Sequence, residues 1–263
     1  MSDEDPVRLE VRDGIAHLTL DRPDVANSID RSLARAFEAA AATLTRTPGV
    51  RAVLLSGAGD RFCGGGDVTS FAGLDDELGA ELGAILAHLH PGIEALVALD
   101  APVIAAVQGS AAGAGLALVA GADLVVAGAS TRFVLAYSAL GLTPDAGASW
   151  YLPRLIGLRR AAELLLTNRM LDADEALAWG LVNRVVPDAD VAAEALALAT
   201  AIADGPTCAY GSGLRMLRSA FDAPLGEHLA REAAEIVAAG GTADGVEGVA
   251  AFVEKRPPGF RGH

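Results

Sequence analysis

The stretch Pro102-Val-Ile-Ala-Ala-Val-Gln-Gly-Ser-Ala-Ala-Gly-Ala-Gly-Leu-Ala-Leu118 decides the architecture. Val103 to Val107 is a short apolar run rich in β-branched residues, which predicts a buried strand. A loop of small residues from Gly109 to Gly115 follows, and the pattern from Leu116 to Ala120 starts a helix. A strand that feeds a glycine-rich loop and a helix N-terminus leaves backbone N–H groups without partners. The helix dipole adds partial positive charge there. Such a place can hold an anion or a developing oxyanion. Further on, Gly141-Leu-Thr-Pro-Asp145-Ala-Gly147 sets an acidic residue in a tight turn.

Strands and helices alternate outward from this stretch. Val7 to Val11 and Ile15 to Leu20 flank Asp13-Gly14, a hairpin signal. Asn27-Ser28-Ile29-Asp30 offers caps for a helix from Arg31 to about Thr45, and Pro48-Gly49 ends it. Val50 to Ser56 reads as a second buried strand. It leads to another glycine-rich turn, Phe62-Cys-Gly-Gly-Gly-Asp67. Asp75 to Ala98 has helical spacing, with a break or kink expected at Pro91. Asp123 to Ala127 and Thr131 to Leu135 read as short strands. From Trp150 onward the pattern is almost all helix, including Leu158 to Leu166, Asp172 to Trp179 and Asp188 to Ala203. The class is α/β. Residues 1–200 form the expected core and residues 201–263 a C-terminal helical region.

The 263 residues carry a formal net charge of −14, and Lys255 is the only lysine. This balance excludes nucleic acid and anionic membrane surfaces as general partners, while leaving room for a local anion site. Cys63 and Cys208 give neither a disulfide framework nor metal-ligand spacing, so a reducing, cytoplasmic setting is expected. The acidic N-terminus has no apolar segment of the signal-peptide kind. Val103 to Ala122 is uncharged and nearly long enough to span a bilayer. Gln108 and several glycines interrupt it, and Asp100 and Asp123 flank it without basic anchors. It reads as strand, loop and helix, with no membrane span.

Familiar catalytic signatures are missing. There is no dinucleotide fingerprint, P-loop, Gly-x-Ser-x-Gly, His-Glu-x-x-His or Cys-x-x-Cys, and no metal site is expected. What remains is two glycine turns, each after a strand, and Asp145. Two N–H donors converging on one point would polarise a carbonyl, and a nearby carboxylate could move protons on the adjacent carbon. That suits chemistry beside a thioester or ketone. Taken singly, such glycine turns mostly serve tight geometry. Asp145 taken singly would be a cap on a helix starting near Ala146.

Several segments together resemble the crotonase (enoyl-CoA hydratase/isomerase) superfamily over nearly the whole chain. They are Arg22-Pro-x-x-x-Asn27, Phe62 to Asp67, Pro102 to Asp123, Phe133 to Gly147, and Ala178-x-Gly-Leu-Val-x-Arg-Val-Val186. Gly245-x-x-Glu-Gly-x-x-Ala-Phe252-x-x-Lys255-Arg also matches. The resemblance implies a crotonase fold of stacked ββα turns, with a C-terminal helical part used for trimer formation. It implies acyl-CoA thioesters as substrates, a homotrimer or hexamer, and no cofactor beyond the coenzyme A carried by the substrate. The implied oxyanion hole uses the N–H groups of Gly66 and Ala114, within turns that include Gly64, Gly65 and Gly113.

The departures from the pattern matter as much. Hydratases of the family carry two glutamates, and the aligned positions here hold Ala117 and Tyr137. Hydration needs a base for water and a proton for the α-carbon, so their loss argues against efficient hydration. Asp145 falls where related epoxyphenylacetyl-CoA isomerases place a catalytic aspartate and aryl-CoA dehalogenases a nucleophilic one. A carboxyl raised by apolar surroundings would suit a proton shuttle, and Leu140, Leu142 and Tyr137 could supply them.

The resemblance also implies roles outside the centre. His90 lies on the segment that lines the acyl pocket, where dehalogenases have a water-activating histidine. Read alone, it is a pocket or surface histidine. Val68 and Thr69 lie where the pantetheine and adenine portions pass. Phe252 and Lys255 match residues holding the nucleotide end from a neighbouring subunit, and an ammonium suits a phosphate. Asp67 reads as a structural acceptor beside the CoA path. The expected activity is an acyl-CoA isomerase that moves a double bond or rearranges a ring-derived acyl group. The alternatives are a hydratase or a hydrolase/dehalogenase-type enzyme of the same family, and a non-catalytic acyl-CoA binder.

Overall fold

The computed structural model describes residues 5–263. It opens with a hairpin of β1 (Val7–Arg12) and β2 (Ile15–Leu20), turning at Asp13 and Gly14 with φ of 51° and 76°. Two central residues at positive φ give the twist that a two-residue hairpin needs. Helix α1 (Arg31–Leu44) follows, with the Asp30 carboxylate accepting from the Leu33 N–H at 2.8 Å. It leads to β3 (Ala52–Gly57), a short α2 (Val68–Phe71) and the long α3 (Leu78–Val97).

The centre of the chain repeats one unit. Strand β4 (Val103–Val107), strand β5 (Ser110–Ala112) and helix α4 (Ala114–Gly121) make a ββα turn. Strand β6 (Leu124–Gly128), strand β7 (Arg132–Val134) and helix α5 (Ala148–Ile156) make the next. The first strands of the two units pair in parallel in one sheet, and the second strands pair in parallel in another. The turns therefore stack. Helix α6 (Leu158–Thr167), β8 (Leu171–Asp172), α7 (Ala173–Trp179), β9 (Arg184–Val186) and α8 (Val191–Ala203) follow. Helices α9 (Thr207–Ser219), α10 (Leu225–Gly240) and α11 (Ala243–Glu254) complete the described chain.

The main sheet has the order β1-β2-β3-β4-β6-β9, parallel apart from the β1–β2 hairpin. Its middle strands are buried on both faces, which is why they read as unbroken apolar runs. Val53, Leu55, Val103, Ala105 and Val125 enter the principal core. Leu54, Ile104, Ala106 and Val126 enter a second core under α8, against Val191, Ala195 and Ala199. The second sheet, β5-β7-β8, is small. A single parallel bridge, Cys63 to Ala111, joins the first glycine turn to it, and a second, Ile29 to Gly66, ties that turn to the segment ahead of α1.

One expectation is corrected and two are refined. The small-residue stretch 109–115 is not all loop: it contains β5, and α4 begins at Ala114, not Leu116. Three alternating small residues give too short a period to announce a strand. Helix α3 runs through Pro91 without a break. Pro91 and Ala87, whose carbonyl the proline deprives of an N–H, are both exposed, so water can take the freed acceptor. The chain beyond Trp150 is almost all helix, as expected, apart from β9, which closes the edge of the main sheet, and β8, which closes that of the small one. Val103 to Ala122 divides into β4, β5 and α4. No single helix among the described residues is long and apolar enough to cross a membrane.

The two glycine turns meet backbone to backbone. A Cβ on Gly115 would lie 2.5 Å from the Cys63 carbonyl oxygen, with no flexible side chain to give way. Gly115→Ala should therefore destabilise the protein by about 1–3 kcal/mol. Gly83, inside α3, has nothing within 4 Å of its Cβ position. Gly83→Ala should stabilise by about 0.5–1 kcal/mol. Denaturant unfolding of the two variants beside the parent checks both signs.

Candidate active site

The first glycine turn is pinned from several sides. The buried Asn27 side chain donates to the carbonyls of Ala58, Arg61 and Phe62 at 2.9, 2.8 and 3.1 Å. Its own Oδ1 accepts from the Arg22 N–H at 2.8 Å. The Arg22 guanidinium bonds the Ser28 carbonyl at 2.6 Å and reaches Asp30 and Asp67 at 3.0 and 3.2 Å. Cys63 exchanges backbone bonds with β5, its N–H to Ser110 and its carbonyl from Ala112, at 3.2 and 3.0 Å. Its thiol is fully buried, donates to the Asn27 carbonyl at 3.2 Å, and is pushed by burial to a pKa of about 12. It is a packing group and not a nucleophile.

The second turn seats Gly113 by an N–H bond to the Val134 carbonyl at 3.0 Å and starts α4 at Ala114. A Cβ on Gly65 would lie 2.7 Å from the Ala112 carbonyl oxygen, so the two turns touch directly. Among the described residues, the N–H groups of Gly66 and Ala114 have no hydrogen-bond partner. Both residues line one cavity of about 180 Å³. Two free donors on fixed backbone facing one space are the makings of an oxyanion hole.

Asp145 enters the same cavity. The turn that carries it is bracketed by two alanines with left-handed backbone, Ala136 at φ 64° and Ala146 at φ 50°. Its main-chain carbonyl accepts the Ala148 N–H at 2.9 Å, and α5 has no side-chain cap. The carboxylate is therefore not the helix cap that its position alone suggests. It accepts instead the Tyr137 hydroxyl at 2.5 Å. Burial pushes the Asp145 carboxyl above the usual carboxylate range, while the Tyr137 bond and the charge of His90 pull it partly back. Burial, with the neighbouring carboxylate, raises the Tyr137 phenol well above its ordinary value, so it stays a neutral donor.

The remaining residues divide by place. Gly64, Gly65, Val68 and Gly113 line the cavity with Gly66, Ala114, Tyr137 and Asp145. Asp67 does not. It faces away, receiving the Thr69 hydroxyl at 2.5 Å and the Arg22 guanidinium, and these bonds hold its carboxyl below the usual range. His90 does not line the cavity either, though its charge acts on Asp145. It lines an adjoining cavity of about 380 Å³ with Glu94, Ala146, Gly147, Trp150 and Tyr151. Position 90 follows Leu86 by one turn, at the edge of the α3 face formed by residues 82, 85, 86 and 89. Phe252, 85% exposed, and Lys255 stand at the end of α11, apart from the cavity of their own chain. Ala117 is buried in α4 beneath the site. Sequence reasoning passed over Leu82, Ile85, Leu86 and Leu89, which form an apolar wall. Their i, i+3, i+4, i+7 spacing was the available signal. No group of three or more His, Cys, Asp or Glu among the described residues could hold a metal ion.

Comparison with known proteins places the chain in a family. Residues 10–263 match the model of the enoyl-CoA hydratase/isomerase family. A "Probable enoyl-CoA hydratase" of Rhodobacter capsulatus is 39% identical over 257 residues, 97% of this chain and 98% of that one. A 1,2-epoxyphenylacetyl-CoA isomerase of Escherichia coli is 38% identical over 253 residues, 96% of this chain and 97% of its own. The crystal structure of an enoyl-CoA hydratase from Polaromonas superposes with a TM-score of 0.92 at 32% identity, covering 97% of this chain and 99% of that one.

The raised Asp145 carboxyl has a consequence for stability that does not depend on activity. A carboxyl raised by folding contributes stability below its unfolded pKa of about 3.9, and this is lost as pH rises through the folded value. Asp145→Asn should thus melt above the parent at pH 8, with the gain shrinking towards pH 3. Tyr137→Phe removes a bond to the ionised form and should move the Asp145 midpoint upward, read by carboxyl ¹³C NMR. A downward move would mean that the hydroxyl does not stabilise the carboxylate.

Proposed function

The chain belongs to the enoyl-CoA hydratase/isomerase family and has its α/β crotonase fold, and within that family we propose that it is an acyl-CoA isomerase. The observation that carries this reading is a single carboxylate, Asp145, in one cavity with two free N–H donors. The thioester oxygen would sit between the Gly66 and Ala114 N–H groups. Asp145 would take a proton from the α-carbon, leaving a dienolate whose oxygen charge those donors hold. The same carboxyl would return the proton at the γ-carbon, and a 3-enoyl thioester would become the 2-enoyl thioester. No water is consumed and no cofactor is needed beyond the coenzyme A of the substrate. A ring-derived acyl-CoA could rearrange through the same shuttle, and the likeness to the Escherichia coli isomerase supports this extension.

A second reading is hydration or hydrolysis, and the likeness to the Rhodobacter protein favours it. Against it, Tyr137 and Ala117 stand where the sequence pattern expects glutamates. A raised phenol is a poor base for water, and a buried methyl group is none.

The C-terminal helices expose large apolar side chains, among them Ile236, Val237, Val249, Phe252 and Val253. Faces of this kind on a chain of this family support a homotrimer or a paired-trimer hexamer. Phe252 and Lys255 would then reach the CoA of a neighbouring subunit.

NMR with 3-hexenoyl-CoA in deuterated water tests the chemistry. Migration to 2-hexenoyl-CoA with little 3-hydroxyacyl product is expected, and Asp145→Asn should lower kcat about 10²–10⁴-fold. Rapid hydration with solvent oxygen in the product would replace the isomerase reading with the second one. Light scattering should give three or six times the chain mass, and a monomer would remove the proposed assembly.

A further inference from the structure

We infer that the cavity selects acyl groups whose far end is uncharged hydrocarbon, and that it rejects those ending in a carboxylate. This deepens the acyl-CoA reading of the site and rests on it. The polar groups that line the cavity are the Gly66 and Ala114 backbone, the Tyr137 and Thr143 hydroxyls and the Asp145 carboxylate. One face of α3 lines it with Leu82, Ile85, Leu86 and Leu89, of which Ile85 and Leu89 are buried. Among the residues lining the cavity, Asp145 is the only one with a charged side chain, and none is Arg, Lys or His. The nearest arginine that serves the glycine turn, Arg22, is already taken by Asp30, Asp67 and the Ser28 carbonyl.

An acyl carboxylate would therefore enter apolar surroundings with no counter-ion among the lining residues, in the same cavity as another carboxylate. Burying a charge unpaired is among the most unfavourable steps in recognition. A methylene in the same place gains by leaving water. The apolar wall thus acts as a filter on the acyl end, separate from the proton shuttle at the thioester end.

Saturated thioesters test the filter without any double-bond chemistry. Hexanoyl-CoA and adipoyl-CoA have the same chain length and differ by a terminal carboxylate. Titration calorimetry on the full chain should show affinity rising about fourfold per methylene from acetyl-CoA towards hexanoyl-CoA. Adipoyl-CoA should bind on the order of a hundredfold more weakly than hexanoyl-CoA. Equal affinities, within threefold, would overturn the filter while leaving the isomerase reading intact. If no thioester binds better than coenzyme A itself, the acyl-cavity reading falls, and the filter with it. Leu86→Arg should narrow the gap to tenfold or less by supplying the missing cation, and Leu82→Arg serves if the first variant does not fold. A folded variant with the gap unchanged would overturn the assignment of selectivity to α3.

Discussion

The close approach of two stretches of main chain governs this structure. The carbonyls of Cys63 and Ala112 occupy the places where side chains on Gly115 and Gly65 would be. Because no side chain intervenes, the first turn can bridge to the small sheet that carries the second, and each turn puts a residue with an unpartnered N–H on the wall of the same cavity. The stacked ββα units serve this contact. Parallel pairing of β4 with β6 and of β5 with β7 fixes the height of the second turn. Asn27 and Arg22 fix the height of the first. Donors held this way need no reorganisation when charge develops on a bound oxygen.

The two acidic residues near the site show how environment divides their roles. Asp67 is surrounded by donors, which keep it ionised and committed to holding Arg22 and Thr69. Asp145 has one donor, the Tyr137 hydroxyl, and otherwise faces leucine and isoleucine across the cavity. Desolvation dominates there, and it raises the carboxyl above the usual carboxylate range. Chemical identity alone could not separate these residues; the count of donors around each does.

Much of this was legible in the residues. The apolar runs gave the central strands because those strands are buried on both faces, and Asp13-Gly14 gave the first hairpin. The glycine turns and Asp145 stood out through their matched segments. Strand β5 stayed hidden because Ser110-Ala-Ala112 carries no large apolar residue, and β8 and β9 because two and three residues set among helices show no strand pattern of their own. Pro91 does not end α3, where the carbonyl it leaves without an N–H is on the exposed side of the helix and can be hydrated. Asp67 reads in the sequence as a structural acceptor, and it accepts from Arg22 and Thr69. His90 stands at the edge of the α3 face that lines the cavity, close enough for its charge to act on Asp145.

Ala136 and Ala146 hold left-handed backbone on either side of the segment that aims Tyr137 and Asp145. Each carries strain on the order of 1 kcal/mol that glycine would not. Alanine and glycine codons differ by a single base, so relief is always one mutation away. A lineage selected for heat resistance alone would therefore find glycine at these positions and gain by it. The same change would widen the range of shapes open to the turn and blur the aim of the carboxylate. At these two codons robustness and chemistry pull in opposite directions, and the adaptive history of such a chain would be written there before it is written in the core.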